Sequence, residues 1–431
     1  MKNRLFSCLI IVTFFVISPN SSAANEFSTL HEVIRHFQVA FVERPNLAAL
    51  LLGGLEGLKQ AAPKCEIQVL SRPALFLVKA GGKSYQINRT AISNYKNLEK
   101  ALVQAAKLIK KQKLAKNHKT LEHAIIRGIV SYCGDPWSIF LEADLYNRLL
   151  DDGSQSTGDV GLLVEPHQGG LKVLDVVVDT PAYKAGIKVG MKVDQIAGRA
   201  ASQLNELEAL ALMRGKVGRK IKLSIAGKKY ELTCAPEPKR NLSVDPPKNG
   251  IARVQLFNFR ADTGRRLASV MKKLQTMGLK GLILDLRGNP GGLVTEGTDV
   301  VGQFIKGGKV VSVVGKKHMR VEVEQSPHPG AYRDLPLVIL SDHRTASVSE
   351  IVILALRDYG RAKLVGEKTL GKGTVQVVME LMDGSALKIS NGRYYSPKGT
   401  PLFDGIEPDI NVAWDGKGED VQLKRAKMLL K

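Results

Sequence analysis

Apolar residues recur along this chain in two rhythms. From Glu26 to about Leu149 they return at three- and four-residue steps, as in Phe27, Leu30, Val33, Ile34 and Phe37, which predicts helices. One alternating stretch, Cys65 to Ile87, interrupts them, and its Ala80-Gly81-Gly82-Lys83 turn predicts a small hairpin. Further on, short continuous apolar runs take over. Gly250 to Phe259, Gly281 to Leu286 and Leu337 to Leu340 predict strands, the last two buried. Thr263 to Met277 and Ile351 to Tyr359 predict helices, the second ended by Gly360. That order predicts an α/β core. Asp383-Gly384 predicts a hairpin turn with Ala386 to Ile389 as the returning strand, and Val421 to Leu430 a short amphipathic helix. The linker Ala235 to Arg240, rich in proline and charge, marks a boundary. The expected division is therefore a leader at 1–24, a mainly helical region with the inserted hairpin at 25–155, a β-rich module at 156–236 and the core with its C-terminal segment at 237–431. In class this is an α+β and α/β multidomain protein.

Composition changes this picture mainly at the N-terminus. Met1 to Arg4 is basic, Leu5 to Ile17 apolar, and Ser21-Ser22-Ala23-Ala24 small, the pattern of a secretory signal peptide cleaved after Ala23 or Ala24. Cys8 lies inside the apolar region, which argues against a lipoprotein anchor. The expected location is the periplasm or cell envelope. An apolar fraction of 44% and a mean hydropathy of −0.07 over 431 residues fit a globular chain of two or three domains. The net charge of +22 raises nucleic acid as a partner, but no zinc-finger, RRM or P-loop motif accompanies it. Its densest run, Lys107 to Lys119, carries Leu108, Ile109 and Leu114 at helical intervals and reads as a solvated helix face. Weak attraction to an anionic envelope surface is the expectation that remains. Cys65, Cys133 and Cys234 contain no C-x-x-C pair, which disfavours a metal site, and their odd number leaves at least one free thiol beside any Cys65–Cys133 disulfide.

The chemistry centres on Thr345-Ala346-Ser347-Val348-Ser349-Glu350 and Gly371-Lys372-Gly373-Thr374-Val375-Gln376. Ser347 falls at a strand-to-helix turn, where backbone N–H groups at a helix N-terminus can stabilise a developing oxyanion. A serine nucleophile needs a base. His343 is near in sequence, but nothing beside it looks arranged to orient an imidazole, and no G-x-S-x-G elbow is present. Lys372 is the better candidate, because its flanking glycines let the backbone bend. It serves as base only when neutral, which requires apolar surroundings, for which Val365, Leu370 and Val375 are candidates. Ser349 reads as a helix-start hydroxyl.

These words resemble the signature of the C-terminal processing peptidases, also called tail-specific proteases. The resemblance implies Ser347 as nucleophile, Lys372 as general base and Gln376 as the residue that orients the lysine. Extended backbone would separate Lys372 and Gln376 by roughly 13 Å, so a bend at Gly373 is expected. Asp358 is a relay acid in this family. Here it lies about 16 Å up the predicted helix from Ser347, and a structural ion pair with Arg361 is the competing expectation. Arg287-Gly288-Asn289-Pro290-Gly291-Gly292 also matches the family, and an N–H of Gly291 or Gly292 is expected to join that of Val348 as an oxyanion donor. The likeness runs from about Leu121 to Ile410 and implies a core of the ClpP/crotonase-like kind with no metal or organic cofactor. Gly134 and Trp137 depart from the family's L-D-P-H-S, and the Cys65 to Ile87 hairpin looks like an insertion.

Residues from about Ser156 to Pro236 resemble a PDZ domain. Gly158, Val160, Gly161 and Leu162 match the loop and strand that receive a peptide carboxylate, and Asn205 to Arg214 the groove helix with Leu207, Leu210 and Ala211. The implied partners are protein or peptide substrates with free, apolar C-termini, an adaptor lipoprotein and a second copy of the chain. The alternative is a catalytically inactive PDZ adaptor of the envelope.

Overall fold

Asparagine side chains open four of the helices. In the computed structural model, which describes residues 26–70, 75–150, 157–177, 179–236, 241–316, 320–326 and 330–431, the chain forms two compact units. One holds the described residues up to Pro236 together with Gln376–Asn391, the other the described residues of 241–375 and 392–431. The leader expected at 1–24 lies outside the described residues. Among the described residues no helix is long and apolar enough to cross a membrane.

The first unit begins with helices α1 (Ser28–Val39), α2 (Leu47–Ala61), α3 (Tyr95–Lys111), α4 (His118–Ser131) and α5 (Ala143–Leu150). Asn46, Asn94 and Asn117 cap α2, α3 and α4 by accepting first-turn N–H groups, each such cap contributing about 1 kcal/mol. Helices α2 and α4 cross with their backbones in contact. A Cβ on Gly57 would lie 1.9 Å from the Ala124 carbonyl oxygen, so only glycine permits that approach. The helical stripe predicted from Phe27 to Phe37 is fully buried in the resulting core, apart from a trace at Ile34 and Phe27. The lysine-rich run Lys107 to Lys119 only begins on α3, whose Leu98, Leu102 and Ile109 are buried; beyond Lys111 it forms the connection to α4 and that helix's first two residues. In place of a simple hairpin, Cys65 to Ile87 contributes a three-stranded antiparallel sheet, Glu66–Leu70, Leu75–Ala80 and Lys83–Asn88. The extra strand, Glu66–Leu70, has weak alternation because one face and most of the other are exposed.

The same unit contains a β-module with two helices, α6 (Pro181–Lys184) and α7 (Glu206–Met213). Its sheet runs in the order Lys228–Thr233, Lys220–Ile225, Lys192–Ile196, Gly170–Val176, Leu162–His167, which leaves Leu162–His167 at an edge. Helix α7 packs beside that edge strand. Asn205 and Glu208 close a reciprocal capping box at its start. Glu208 is buried and paired with Arg127 of α4 at 2.6 Å, and Arg127 also meets Glu142 at 2.9 Å. His123, one turn earlier on α4, meets Asp383 at 2.7 Å.

The second unit is a parallel sheet with helices on both faces. Strands Leu242–Lys248, Ile251–Leu256, Gly281–Asp285, Leu337–Ser341, Ala362–Gly366 and Ile410–Asn411 lie in that order, the first antiparallel and the rest parallel. Alternate residues serve opposite faces. Leu282, Leu284, Ile339 and Leu364 pack against α8 (Thr263–Thr276), α9 (Val294–Gly302) and α10 (Val348–Asp358), whereas Ile283, Val338, Leu340 and Val365 pack against α11 (Val421–Leu429). Burial on both faces explains why these strands read as unbroken apolar runs. Thr374–Glu380 and Ala386–Tyr395 begin or end in this unit and carry the chain across its boundary.

Candidate active site

Three neighbouring parallel strands, Gly281–Asp285, Leu337–Ser341 and Ala362–Gly366, each end in a loop at the same edge of the sheet. Carboxyl ends of parallel strands are where open α/β sheets form their sites. The loops are 286–293, 342–347 and 367–373, and they carry the glycine word, Ser347 and Lys372 respectively.

They are knitted by hydrogen bonds. Thr345 Oγ1 donates to the Leu286 carbonyl at 2.9 Å, Gly288 N–H to Asp342 Oδ1 at 2.9 Å, and Leu370 N–H to the Thr345 carbonyl at 3.0 Å. Asn289, fully buried, is a hub. Its carbonyl accepts from Ala346 N–H and from Ser349 Oγ at 3.0 Å, and its side chain donates to the Leu256 carbonyl at 2.9 Å. Ser349 is thus engaged as a helix-start hydroxyl, in agreement with its sequence reading.

Ser347 sits immediately before α10 with φ 57° and ψ −116°, a backbone conformation that costs a non-glycine residue about 1–3 kcal/mol. Its side chain is buried, and Oγ has no hydrogen-bond partner among the described residues. A buried hydroxyl left unpaired on a strained turn is unfavourable for stability alone and is suited to a reacting group. In the first turn of α10, the N–H groups of Ser349, Glu350 and Ile351 reach the carbonyls of Ala346 and Ser347. Val348 is the first residue of the helix, the position whose N–H an α-helix cannot satisfy internally.

Glu350 was singled out by no sequence argument, yet it organises this corner. Its fully buried carboxylate accepts four hydrogen bonds. Thr369 Oγ1 and Gly371 N–H reach Oε1 at 2.5 and 2.7 Å, and Ser347 N–H and Lys372 N–H reach Oε2 at 2.7 and 2.9 Å. The serine and lysine backbones are therefore joined through one oxygen atom. Burial pushes this carboxyl up from its ordinary range, against the downward pull of the four donors. The signal that could have found it is Ser347-Val348-Ser349-Glu350, an S-x-x-E word with its acid three residues into the turn. Asn289 had no such signal.

Lys372 is half-buried at the apex of a tight turn in which Gly373 N–H donates to the Gly371 carbonyl at 3.0 Å, with Gly371 at φ 88°. The bend thus centres on Lys372, one residue before the Gly373 at which it was expected, and the chain runs on from Thr374 as a strand. Of the apolar neighbours expected for the lysine, only Val375 belongs to the core that α10 shares. Val365 packs on the opposite face of the sheet because strand alternation sends it toward α11, and Leu370 is 47% exposed. Gln376 is buried and donates from Nε2 to Ser390 Oγ at 3.3 Å. His343 is exposed beside Glu367.

Two expectations need correction. Asp358 forms no ion pair with Arg361, whose guanidinium donates to the carbonyls of Phe304 and Leu335 at 2.8 Å; Asp358 instead accepts the Lys398 N–H at 2.8 Å. Gly291 does meet the serine turn, since a Cβ there would lie 2.9 Å from both Ser347 Cβ and the Val348 nitrogen. Its N–H, however, donates to Asn289 Oδ1 at 2.9 Å, because the Asn289 side chain folds back over its own loop.

In the β-module, Val160 and Gly161 form the turn leading into the edge strand that starts at Leu162. The Val160 carbonyl accepts from Ala182 N–H, and the Gly161 N–H donates to Asp159 Oδ1 at 2.7 Å. Gly158 lies apart from them. Its backbone pairs with Gly215 in a two-stranded ribbon, and a Cβ on it would strike the Ala235 carbonyl at 2.2 Å. The three cysteines Cys65, Cys133 and Cys234 are free and buried, and burial pushes the Cys133 thiol up to about 11.

Comparison with known proteins agrees with this architecture. Residues 250–412 match the model of peptidase family S41, and residues 158–235 that of a PDZ domain. The chain is 32% identical over 326 residues to the carboxy-terminal-processing protease of Bartonella bacilliformis, covering 72% of this chain and 75% of that one. It is 30% identical over 344 residues to the carboxyl-terminal-processing protease of a Picosynechococcus species, covering 75% and 83%. With the carboxy-terminal processing protease CtpA of Bacillus subtilis the identity is 32% over 293 residues, 67% of this chain and 63% of that one. A solved photosystem II D1 C-terminal processing protease superposes with a TM-score of 0.65 at 21% identity, over 95% of this chain and 98% of the other, which shows the shared fold. A PDZ domain joined to a peptidase core is thus the class. The chain belongs to peptidase family S41 as a serine-type, carboxyl-terminal processing peptidase.

Proposed function

We propose that the protein is an exported endopeptidase with a Ser-Lys mechanism that cuts proteins near their C-termini. Ser347 Oγ attacks the scissile carbonyl while Lys372 takes its proton and later delivers it to the leaving amine. Water then hydrolyses the acyl-enzyme. Gln376 orients the lysine. The Val348 N–H receives the oxyanion, and the Gly291 N–H joins it when Asn289 releases it. The observation that carries this reading is the buried Ser347 hydroxyl, without a hydrogen-bond partner among the described residues, on a strained turn that shares a carboxylate oxygen with the Lys372 backbone.

The PDZ domain is proposed to read the substrate's free C-terminus. Support comes from the edge strand Leu162–His167 beside α7, an arrangement that can accept a peptide as an added strand. Export rests on the basic and apolar pattern of the first 24 residues. Digestion of a peptide with a free apolar tail by wild type and by Ser347→Ala tests the reading. Turnover is expected only in the wild type. Peptide binding by both proteins with cleavage by neither would identify an inactive adaptor.

A further inference from the structure

We propose that Glu350 is a positioning residue for catalysis, the strut that holds the nucleophile turn and the lysine turn in register; this rests on the Ser-Lys reading above. Its carboxylate gathers donors from three places: the Ser347 backbone on its own helix turn, the Thr369 hydroxyl, and the Gly371 and Lys372 backbones. An ordinary helix cap satisfies only the first of these. The other three donors belong to the loop after Ala362–Gly366, about twenty residues away in sequence.

The division of labour between the two carboxylate oxygens sharpens the assignment. Oε2 takes Ser347 N–H and Lys372 N–H together, so the two backbones cannot drift apart without losing a charge-assisted bond. Oε1 braces the same loop from behind through Thr369, whose hydroxyl oxygen in turn accepts the Ile406 N–H at 2.7 Å. The acceptor must be a full carboxylate. An amide at this position offers one oxygen to one pair of donors and turns its NH2 toward the other pair, where at least one backbone N–H then faces a donor. Glu350 touches no reacting atom in this arrangement. Its effect is on the distance and angle between Ser347 and Lys372, and misplacement by about 1 Å can cost on the order of a hundredfold in rate.

The test titrates the full-length enzyme with a serine-directed fluorophosphonate and follows peptide hydrolysis alongside. The labelling amplitude counts correctly folded sites, and the rate constant reports activation of the serine. Glu350→Gln should reach full amplitude with a rate constant lower by roughly a hundredfold, and kcat should fall with KM little changed. Thr369→Val, a milder change that removes one of the four donors, should slow labelling by about tenfold and covers the case in which Glu350→Gln fails to fold. Wild-type rate constants in the variants, or a reduced amplitude with an unchanged rate constant, would overturn the proposal and leave Glu350 a structural cap. If wild type and Ser347→Ala label equally, the nucleophile reading itself falls, an outcome distinguishable from failure of the strut.

Discussion

The serine turn and the PDZ turn each present a backbone N–H to a carboxylate of the protein itself, and they are tied differently. At the head of α10, Glu350 draws its donors from its own helix turn and from a loop about twenty residues further along. In the PDZ turn, Asp159 accepts from Gly161, two residues on. The first contact closes only when two neighbouring strands of the sheet, Leu337–Ser341 and Ala362–Gly366, are assembled, so disrupting it means moving whole segments. The second is local, and exchanging it for a ligand's carboxylate trades one charge-assisted hydrogen bond of about 1.5–3 kcal/mol for another of the same kind. The first arrangement suits the reacting groups proposed for the serine turn, and the second suits the binding and release of a tail proposed for the PDZ turn.

The largest expected effect is at the serine and lysine turns. Lys372→Ala should abolish hydrolysis while the melting temperature stays near that of wild type, and Lys372→Arg should fail as well, since a guanidinium stays protonated. Wild-type-like turnover in Lys372→Ala would sink the Ser-Lys assignment. Gln376→Ala should lose most activity, roughly tenfold to a hundredfold, because an unoriented lysine rarely reaches the serine. Asp358→Asn should retain more and lose thermal stability, as its carboxylate caps the Lys398 N–H at the far end of α10. The reverse pattern in kinetics and melting would restore the relay acid.

At the PDZ turn the effects should be smaller. Amidating a substrate's C-terminus should weaken binding by about 1.5–3 kcal/mol, roughly tenfold to a hundredfold, and equal cleavage of free and amidated peptides would mean that the domain does not read tails. Asp159→Asn keeps an acceptor for Gly161 but removes a negative charge from the turn, so the affinity for a free-carboxylate peptide, read by fluorescence anisotropy, should rise by about threefold to tenfold. An unchanged affinity would show that the two carboxylates do not compete.

The smallest effect lies outside both turns. Burial alone would raise the Asp383 carboxyl, but hydrogen bonds from Ser385, His123 and Lys119 outweigh it and hold the group well below the usual carboxylate range. A carboxyl depressed in the folded state contributes stability above its unfolded value of about 3.9, and that contribution is lost as pH falls through the folded value. Asp383→Asn should therefore lower the urea midpoint at neutral pH and converge with wild type in strong acid. A gap of the same size at both pH values would contradict this assignment.

How far the sequence carried each turn follows from the range of the contacts. The helix α10 and its Gly360 stop, the strand before it, the turn at Lys372 and the hairpin at Asp383-Gly384 all depend on neighbours a few residues apart, and all were legible. So was Ser347, because a serine between a buried strand and a helix can face only a few ways. The apolar surroundings of Lys372 were misread at Val365 and Leu370, since composition does not say which face of a sheet a strand residue takes.

By itself, then, the sequence determined the local elements, the class of peptidase and the residues proposed as nucleophile and base. The tertiary structure alone decided that Asn289 would occupy the Gly291 N–H, that Asp358 would cap Lys398 instead of pairing with Arg361, and that Glu350 would bind the serine and lysine turns together. The physical reason is that hydrogen bonds between distant loops exist only once parallel strands bring their ends to one edge. Periodicity and propensity describe a single stretch of chain and carry no record of which other stretch will lie beside it.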